Sequence, residues 1–248
     1  MKYDLIHDDL INICKTASIQ ELDELCAEIR QFIIDKVSVT GGHLASNLGI
    51  VELSVALMRV FDTPHDKIIY DVGHQSYVHK ILTGRAAGFD HLRQFGGLSG
   101  FPKSRESEHD AYETGHSSTS VSAAYGMAIA RDMSGDDSNI VAVIGDGSFT
   151  NGIVYEALNN IGANQTNLNI VLNDNGMSIA HNVGALSKYL NKVRSSQKYD
   201  KAKISVKSAL GNVPVIGRTI SRGIRNSKQK IKYSVLGEEG HIIEDLGI

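Results

Sequence analysis

Two short apolar runs, Ile140 to Ile144 and Leu168 to Leu172, constrain this chain more than any other feature. Both are rich in β-branched residues and carry no charge, the pattern of strands buried on both faces of a parallel sheet. Between them Gly152 to Ile161 spaces its apolar residues as a helix does. A strand-helix-strand unit crosses over with a right hand, which sets its two strands parallel and opens both carboxyl ends on one edge of the sheet. The predicted fold class is therefore α/β, a parallel sheet flanked by helices.

What ends the two runs carries chemistry. The first stops at Gly145-Asp146-Gly147, and Asn175 follows Asp146 by 29 positions within Asn173-Asp174-Asn175-Gly176-Met177. Neighbouring strands lie about 4.8 Å apart, so Asp146 and Asn175 can share one cation. Magnesium takes six oxygens at about 2.0–2.1 Å, usually one or two carboxylates with phosphate oxygens and water. Asp146 offers a charged oxygen, Asn175 a neutral one and the Met177 carbonyl a third, leaving room for a diphosphate. Gly145 and Gly147 suit a backbone that must approach phosphate closely. Gly-Asp-Gly alone arises at any strand-to-turn junction; the pair at this spacing makes the prediction.

Elsewhere, Ser18-Ile19-Gln20-Glu21 reads as a capping box. It opens a helix whose buried face holds Leu22, Leu25, Cys26, Ile29, Phe32 and Ile33. A second helical pattern covers Asn47 to Phe61, a strand covers Lys67 to Asp71, and Phe89 to Arg105 is a glycine-rich loop. Gly115-His116-Ser117-Ser118-Thr119-Ser120 precedes a small-residue helix from Val121 to Met133. Free N–H groups and hydroxyls at such a start suit either an anion or ordinary capping. Its place ahead of the metal-motif strand favours a third loop converging on the same sheet edge.

With 248 residues, 42% hydrophobic and 21% charged, the chain suffices for one large domain, residues 1–248. Cys14 and Cys26 form no metal-ligand pattern and read as buried small hydrophobes. No run of about 18 apolar residues occurs, so neither signal peptide nor membrane span is expected, and the expected location is cytoplasmic. From Gly184 to Val235, thirteen lysines and arginines face one acid, Asp200, although the whole chain has a net charge of −3. That segment, 184–235, reads as short basic helices with mobile loops. A nucleic-acid partner is disfavoured there, because the basic residues are interleaved with apolar ones and few aromatics.

Five motifs in order are similar to the 1-deoxy-D-xylulose-5-phosphate synthase family. They are Gly41-Gly42-His43-Leu44-Ala45-Ser46, Asp71-Val72-Gly73-His74-Gln75-Ser76-Tyr77-Val78-His79-Lys80, Gly97-Leu98-Ser99-Gly100-Phe101-Pro102, Gly115-His116-Ser117-Ser118-Thr119-Ser120 and Asn173-Asp174-Asn175-Gly176-Met177-Ser178-Ile179. Three places depart from the pattern: Asn47 stands where glycine is usual, Gly176 where a glutamate is common, and Thr150-Asn151-Gly152 is a variant of the turn after Gly-Asp-Gly. The resemblance implies a thiamine-diphosphate-binding, transketolase-like fold. It implies the condensation of pyruvate with glyceraldehyde 3-phosphate, with loss of carbon dioxide, serving isoprenoid and thiamine biosynthesis.

By the same resemblance, Asp146, Asn175 and the Met177 carbonyl hold magnesium. His74, Gly115, His116, Ser117, Gly147 and Ser148 line the cofactor with Asp146 and Asn175, while His43 and His74 are the catalytic pair. Histidine suits proton transfer because its unperturbed pKa lies near 6.5. The other histidines read as surface or capping groups, with His79 left outside the catalytic set. Members of the family are longer, so the expectation is a diphosphate-binding domain without the pyrimidine-binding and carboxyl-terminal transketolase domains. Its first domain is expected to be incomplete at the carboxyl end, the chain inactive alone, and its working form a homodimer. A subunit of a split transketolase and a truncated, non-catalytic fragment are the alternatives.

Overall fold

The computed structural model describes residues 2–174, which fall within one compact unit. Asn175, Met177 and the basic segment 184–235 lie outside the described residues, as does the rest of the single domain expected over 1–248 beyond residue 174. Strands β1 (Lys67–Tyr70), β2 (Ile140–Gly145) and β3 (Asn169–Asn173) form a parallel sheet in the order β1-β2-β3. Tyr70 pairs with Val143 and Gly145 with Asn173, so the three carboxyl ends finish along one edge. β2 is buried throughout its apolar length. β3 is only half-buried, because it is the outer strand of the described sheet and lacks a described neighbour on one side.

The amino-terminal part is helical. α1 (Leu10–Thr16), α2 (Ile19–Thr40), α3 (Leu44–Leu48) and α4 (Val51–Val60) precede β1. The Ser18 side chain accepts from Glu21 N–H while Glu21 reaches back to Ser18, which completes the predicted capping box. Leu22, Leu25, Cys26, Ile29, Phe32 and Ile33 are buried in the main core with residues of α1 and α4. Burial pushes the Cys14 thiol up to about 12 and the Cys26 thiol up to about 11, as expected of apolar packing groups.

The helix predicted from Asn47 to Phe61 breaks at Gly49 and Ile50. Gly49 N–H bonds Ala45, closing α3, and α4 starts only at Val51. Glycine weakens a helix interior by about 1 kcal/mol, and the buried Asn47 side chain is committed to groups outside the helix.

After β1, α5 (Tyr77–Lys80) runs into a π turn, Ile81–Arg85, and a 3-10 turn, Ala86–His91. The segment predicted as loop from Phe89 therefore begins inside that last turn. α6 (Ser120–Ser134) packs on β2, a short turn of helix α7 (Asp146–Phe149) follows β2, and α8 (Gly152–Asn164) connects β2 to β3 and packs on α6.

A buried ion cluster pins the glycine-rich loop to α5. Lys80, fully buried, donates to Glu106, whose second oxygen accepts Ser99 N–H at 2.8 Å. Asp110 receives both nitrogens of Arg85 at 2.7 and 2.8 Å and Lys103 N–H at 2.7 Å. His79 Nε2 lies 3.3 Å from Asp110 and 3.2 Å from the His109 carbonyl. His79 and half-buried His109 thus belong to this structural cluster rather than to the surface.

Candidate active site

Three segments meet at the carboxyl edge of the sheet. The first follows β1: Val72 and Gly73 take φ of 60 and 82°, a sharp turn that sets His74 beyond the strand end. A side chain cannot replace the Gly73 hydrogen, because a Cβ there would lie 2.3 Å from Thr114 Oγ1 and 2.5 Å from Pro102 Cδ. The second is Gly115 to Thr119, leading into α6. Asp71, buried at the end of β1, accepts Ser120 N–H at 3.2 Å and so draws the start of α6 to β1. The third follows β2, where Asp146 is 8% exposed at the start of α7. Asn151 Nδ2 donates to Ser118 Oγ at 2.6 Å, tying the second loop to the third.

Within this meeting point the imidazoles of His43, His74 and His116 cluster. Ring centroids are 5.5 Å apart for His43 and His74, 5.8 Å for His74 and His116, and 6.5 Å for His43 and His116. Phe101 closes one side, 5.7 Å from His43 and 6.0 Å from His116. Burial, with the neighbouring His43 and His116, pushes the His74 imidazole down to about 4; Asp71 opposes the shift. Burial, with Arg93 and His116 nearby, also lowers His43. Both rings are therefore neutral at pH 7, able to accept a proton or a hydrogen bond.

Of the sequence-predicted residues, His74, Gly115, His116, Ser117, Asp146, Gly147 and Ser148 lie on these converging segments, and His43, at the amino end of α3, packs against His74 and His116. Gly115, His116 and Ser117 are exposed, open to a ligand. Asn175 and Met177 lie outside the described residues, so Asp146 alone represents the predicted metal triad. Sequence reading missed Asp71, Phe101 and Asn47. Asp71 had a signal, a carboxylate closing an apolar strand; Asn47 had two, a polar residue in an apolar helical pattern and a departure from the glycine usual in the resembled family.

The edge fits a polar, phosphorylated ligand on two observations. His43 Nδ1, His74 Nδ1, Asp71 Oδ2, Thr114 Oγ1 and Ser120 Oγ are buried without a hydrogen-bond partner, an unusual concentration, since buried polar groups are nearly always paired. A Cβ added at Gly115 or Gly145 would meet nothing within 4 Å, so neither glycine is demanded by protein packing, and the space beside them is open. Among the described residues one group of three gathers ligating atoms, His65, Asp136 and Asp137. All three are exposed and precede β1 and β2, at the opposite edge of the sheet from Asp146.

Beside Phe101, an open cavity of about 770 Å³ is lined by Arg93, Arg105 and the glycines of the pinned loop. No described helix is long and apolar enough to cross a membrane.

The fold resembles that of a transketolase from Leishmania mexicana, at a TM-score of 0.58 and 22% identity over 71% of this chain and 31% of that one. A transketolase variant from Pichia stipitis matches at 0.58, covering 64% of this chain and 27% of its own. These likenesses establish a transketolase-like fold. Among sequences, the 1-deoxy-D-xylulose-5-phosphate synthase of Halalkalibacterium halodurans is 53% identical over 247 residues, 100% of this chain and 39% of the relative. That of Clostridium acetobutylicum is 57% identical over 242 residues, 98% and 38% respectively. The chain thus spans about two fifths of the length of the relatives it matches. The family description 1-deoxy-D-xylulose-5-phosphate synthase matches residues 8–248. Carrying the transketolase-like sheet and this extent of identity, the chain belongs to the 1-deoxy-D-xylulose-5-phosphate synthase family.

Proposed function

We propose that this chain supplies the diphosphate-binding half of a thiamine-diphosphate-dependent transferase that condenses pyruvate with glyceraldehyde 3-phosphate. The observation that carries the reading is the convergence of His43, His74 and His116 at the carboxyl edge of the parallel sheet, the edge at which Asp146 follows β2. When bound, thiamine diphosphate would supply a carbon nucleophile that adds to pyruvate and the electron sink for loss of carbon dioxide. Asp146, with Asn175 and the Met177 carbonyl, would hold magnesium on the diphosphate, and Gly115, His116, Ser117, Gly147 and Ser148 would line the phosphate end.

His43 and His74, neutral at pH 7, would accept protons and orient substrate oxygens at the reactive end. Phe101 packs edge-on against His43 on one side. Arg93 and Arg105 against one acid, Glu106, leave the adjoining cavity with a positive balance, which suits a carboxylate or phosphate substrate. The reading also holds that the activating acid for the pyrimidine ring comes from a further domain, whether in the same protein or a second chain, and that the working form is a cytoplasmic homodimer.

Calorimetry on the 248-residue chain with thiamine diphosphate and magnesium tests the site. Binding in the wild type that is lost in Asp146→Ala is expected, with no product formed by this chain alone. Equal heats in both proteins would sink the assignment of Asp146, and turnover by the isolated chain would overturn the missing-acid part of the reading.

A further inference from the structure

Asn47 is fully buried and makes three hydrogen bonds with three residues that lie outside its own local turn or at its edge. Its Nδ2 donates to the His43 carbonyl at 2.7 Å and to the His74 carbonyl at 2.8 Å. Its Oδ1 accepts the Tyr77 N–H at 2.8 Å. A carboxamide has two donor hydrogens and an accepting oxygen, so this arrangement uses both ends of the group. The reversed amide would set its oxygen against two carbonyls and its NH2 against an N–H, so the network admits one orientation.

The bond to His74 acts on a strained segment. Val72, a β-branched residue, holds φ at 60° in the turn that aims His74. Such a conformation persists only where surrounding contacts over-determine it. Asp71 anchors one end of that turn on Ser120, and Asn47 grips the other end at His74 and Tyr77. Tyr77 returns the linkage to the first loop, since His43 N–H points at its hydroxyl at 3.4 Å.

We propose that Asn47 is the positioning residue of this site, its buried carboxamide locking the backbones of His43 and His74 together so that the two imidazoles hold one mutual geometry before any ligand arrives. The inference rests on the reading that these histidines act at the reactive end of the cofactor. It differs from a general packing role because the amide bonds the two histidine carbonyls themselves.

The test uses the full chain with isotope-labelled histidines, in wild-type, Asn47→Gly and Asn47→Asp forms. Aspartate keeps the acceptor for Tyr77 and loses both donors; glycine loses all three bonds and leaves space. His43 and His74 face each other, His116, Arg93 and Asp71, and none of these changes in Asn47→Gly. The expected result is that the His74 titration in Asn47→Gly moves upward by a unit or more as water reaches the ring. The His43 and His74 resonances broaden, while the distant histidines titrate as before.

Unchanged His43 and His74 titration and line shape in a folded Asn47→Gly protein overturns the proposal. If the variants do not fold, the wild type still decides. Both Asn47 side-chain protons should exchange slowly and couple to the His43 and His74 carbonyls, and a freely exchanging amide overturns it. Calorimetry with thiamine diphosphate and magnesium on the same samples separates the two claims. Failure of the wild type to bind removes the functional reading and leaves the imidazole result standing.

Discussion

Replacing Asp110 by alanine strikes the point where the glycine-rich loop is fastened. The Asp110 side chain is 0% exposed and the Arg85 side chain 10% exposed. Between them run two hydrogen bonds of 2.7 and 2.8 Å, and Lys103 N–H adds a third to the same carboxylate. The substitution leaves a guanidinium, a backbone N–H and the edge of His79 without their carboxylate, with Glu106, 3.8 Å from Arg85, as the acid that remains. Removing one partner of a buried pair costs about 3–5 kcal/mol, most of it the desolvation of the charge left behind. For a protein of this size each kcal/mol shifts the midpoint of thermal unfolding by about 2–4 °C, so the expected fall is about 6–20 °C.

Urea unfolding followed by circular dichroism measures this loss without the ionic screening that guanidinium would add. Asp137→Ala is the control: its side chain is 94% exposed beside His65, and no measurable change is expected. The pH sign follows from the environment. The Asp110 carboxyl is held well below the usual carboxylate range by His79 and Arg85 against the cost of burial. Its contribution is complete above the unfolded value near 3.9 and is lost as pH falls below that toward the folded value. A loss under about 1 kcal/mol at pH 7, on a scale where an intact buried pair is worth several, would refute the claim that this cluster fastens the loop.

Two further outcomes test the site's frame. Gly73→Ala combines a left-handed backbone, about 1–2 kcal/mol, with a Cβ 2.3 Å from Thr114 Oγ1, and overpacking adds about 1–3 kcal/mol. Gly84→Ala shares the positive φ with nothing within 4 Å, so urea melts should show it as clearly the milder change. Stability should also fall as pH drops from about 6.5 to about 4, because the unfolded chain protonates His74 while the folded chain, with His74 pushed down to about 4, does not. Urea melts at closely spaced pH values should show that slope flattened in His74→Gln; identical slopes in the two proteins would exclude His74 as its source.

The sheet and the Asp146 loop were legible in the sequence because their signals are local. Uncharged β-branched runs announce β2 and β3, and the helical spacing between them fixes the crossover, hence parallel strands and a shared carboxyl edge. Ser18 and Glu21 likewise announce the start of α2, since a capping box needs only four consecutive residues. His43 and His74 were readable because each follows a glycine in a family motif. The break at Gly49 was not, because the apolar spacing continues through it and only a buried side-chain contact decides it.

By itself, then, the sequence determined the α/β class, the strand order around the crossover and the residue types gathered at one sheet edge. Only the tertiary structure decided how they are held. Asn47 lies 27 positions from His74, Lys80 lies 26 from Glu106, and Asp71 lies 49 from Ser120. Periodicity and turn chemistry reach a few residues along the chain, whereas the worth of a buried carboxamide or ion pair depends on which distant groups it meets once water is excluded.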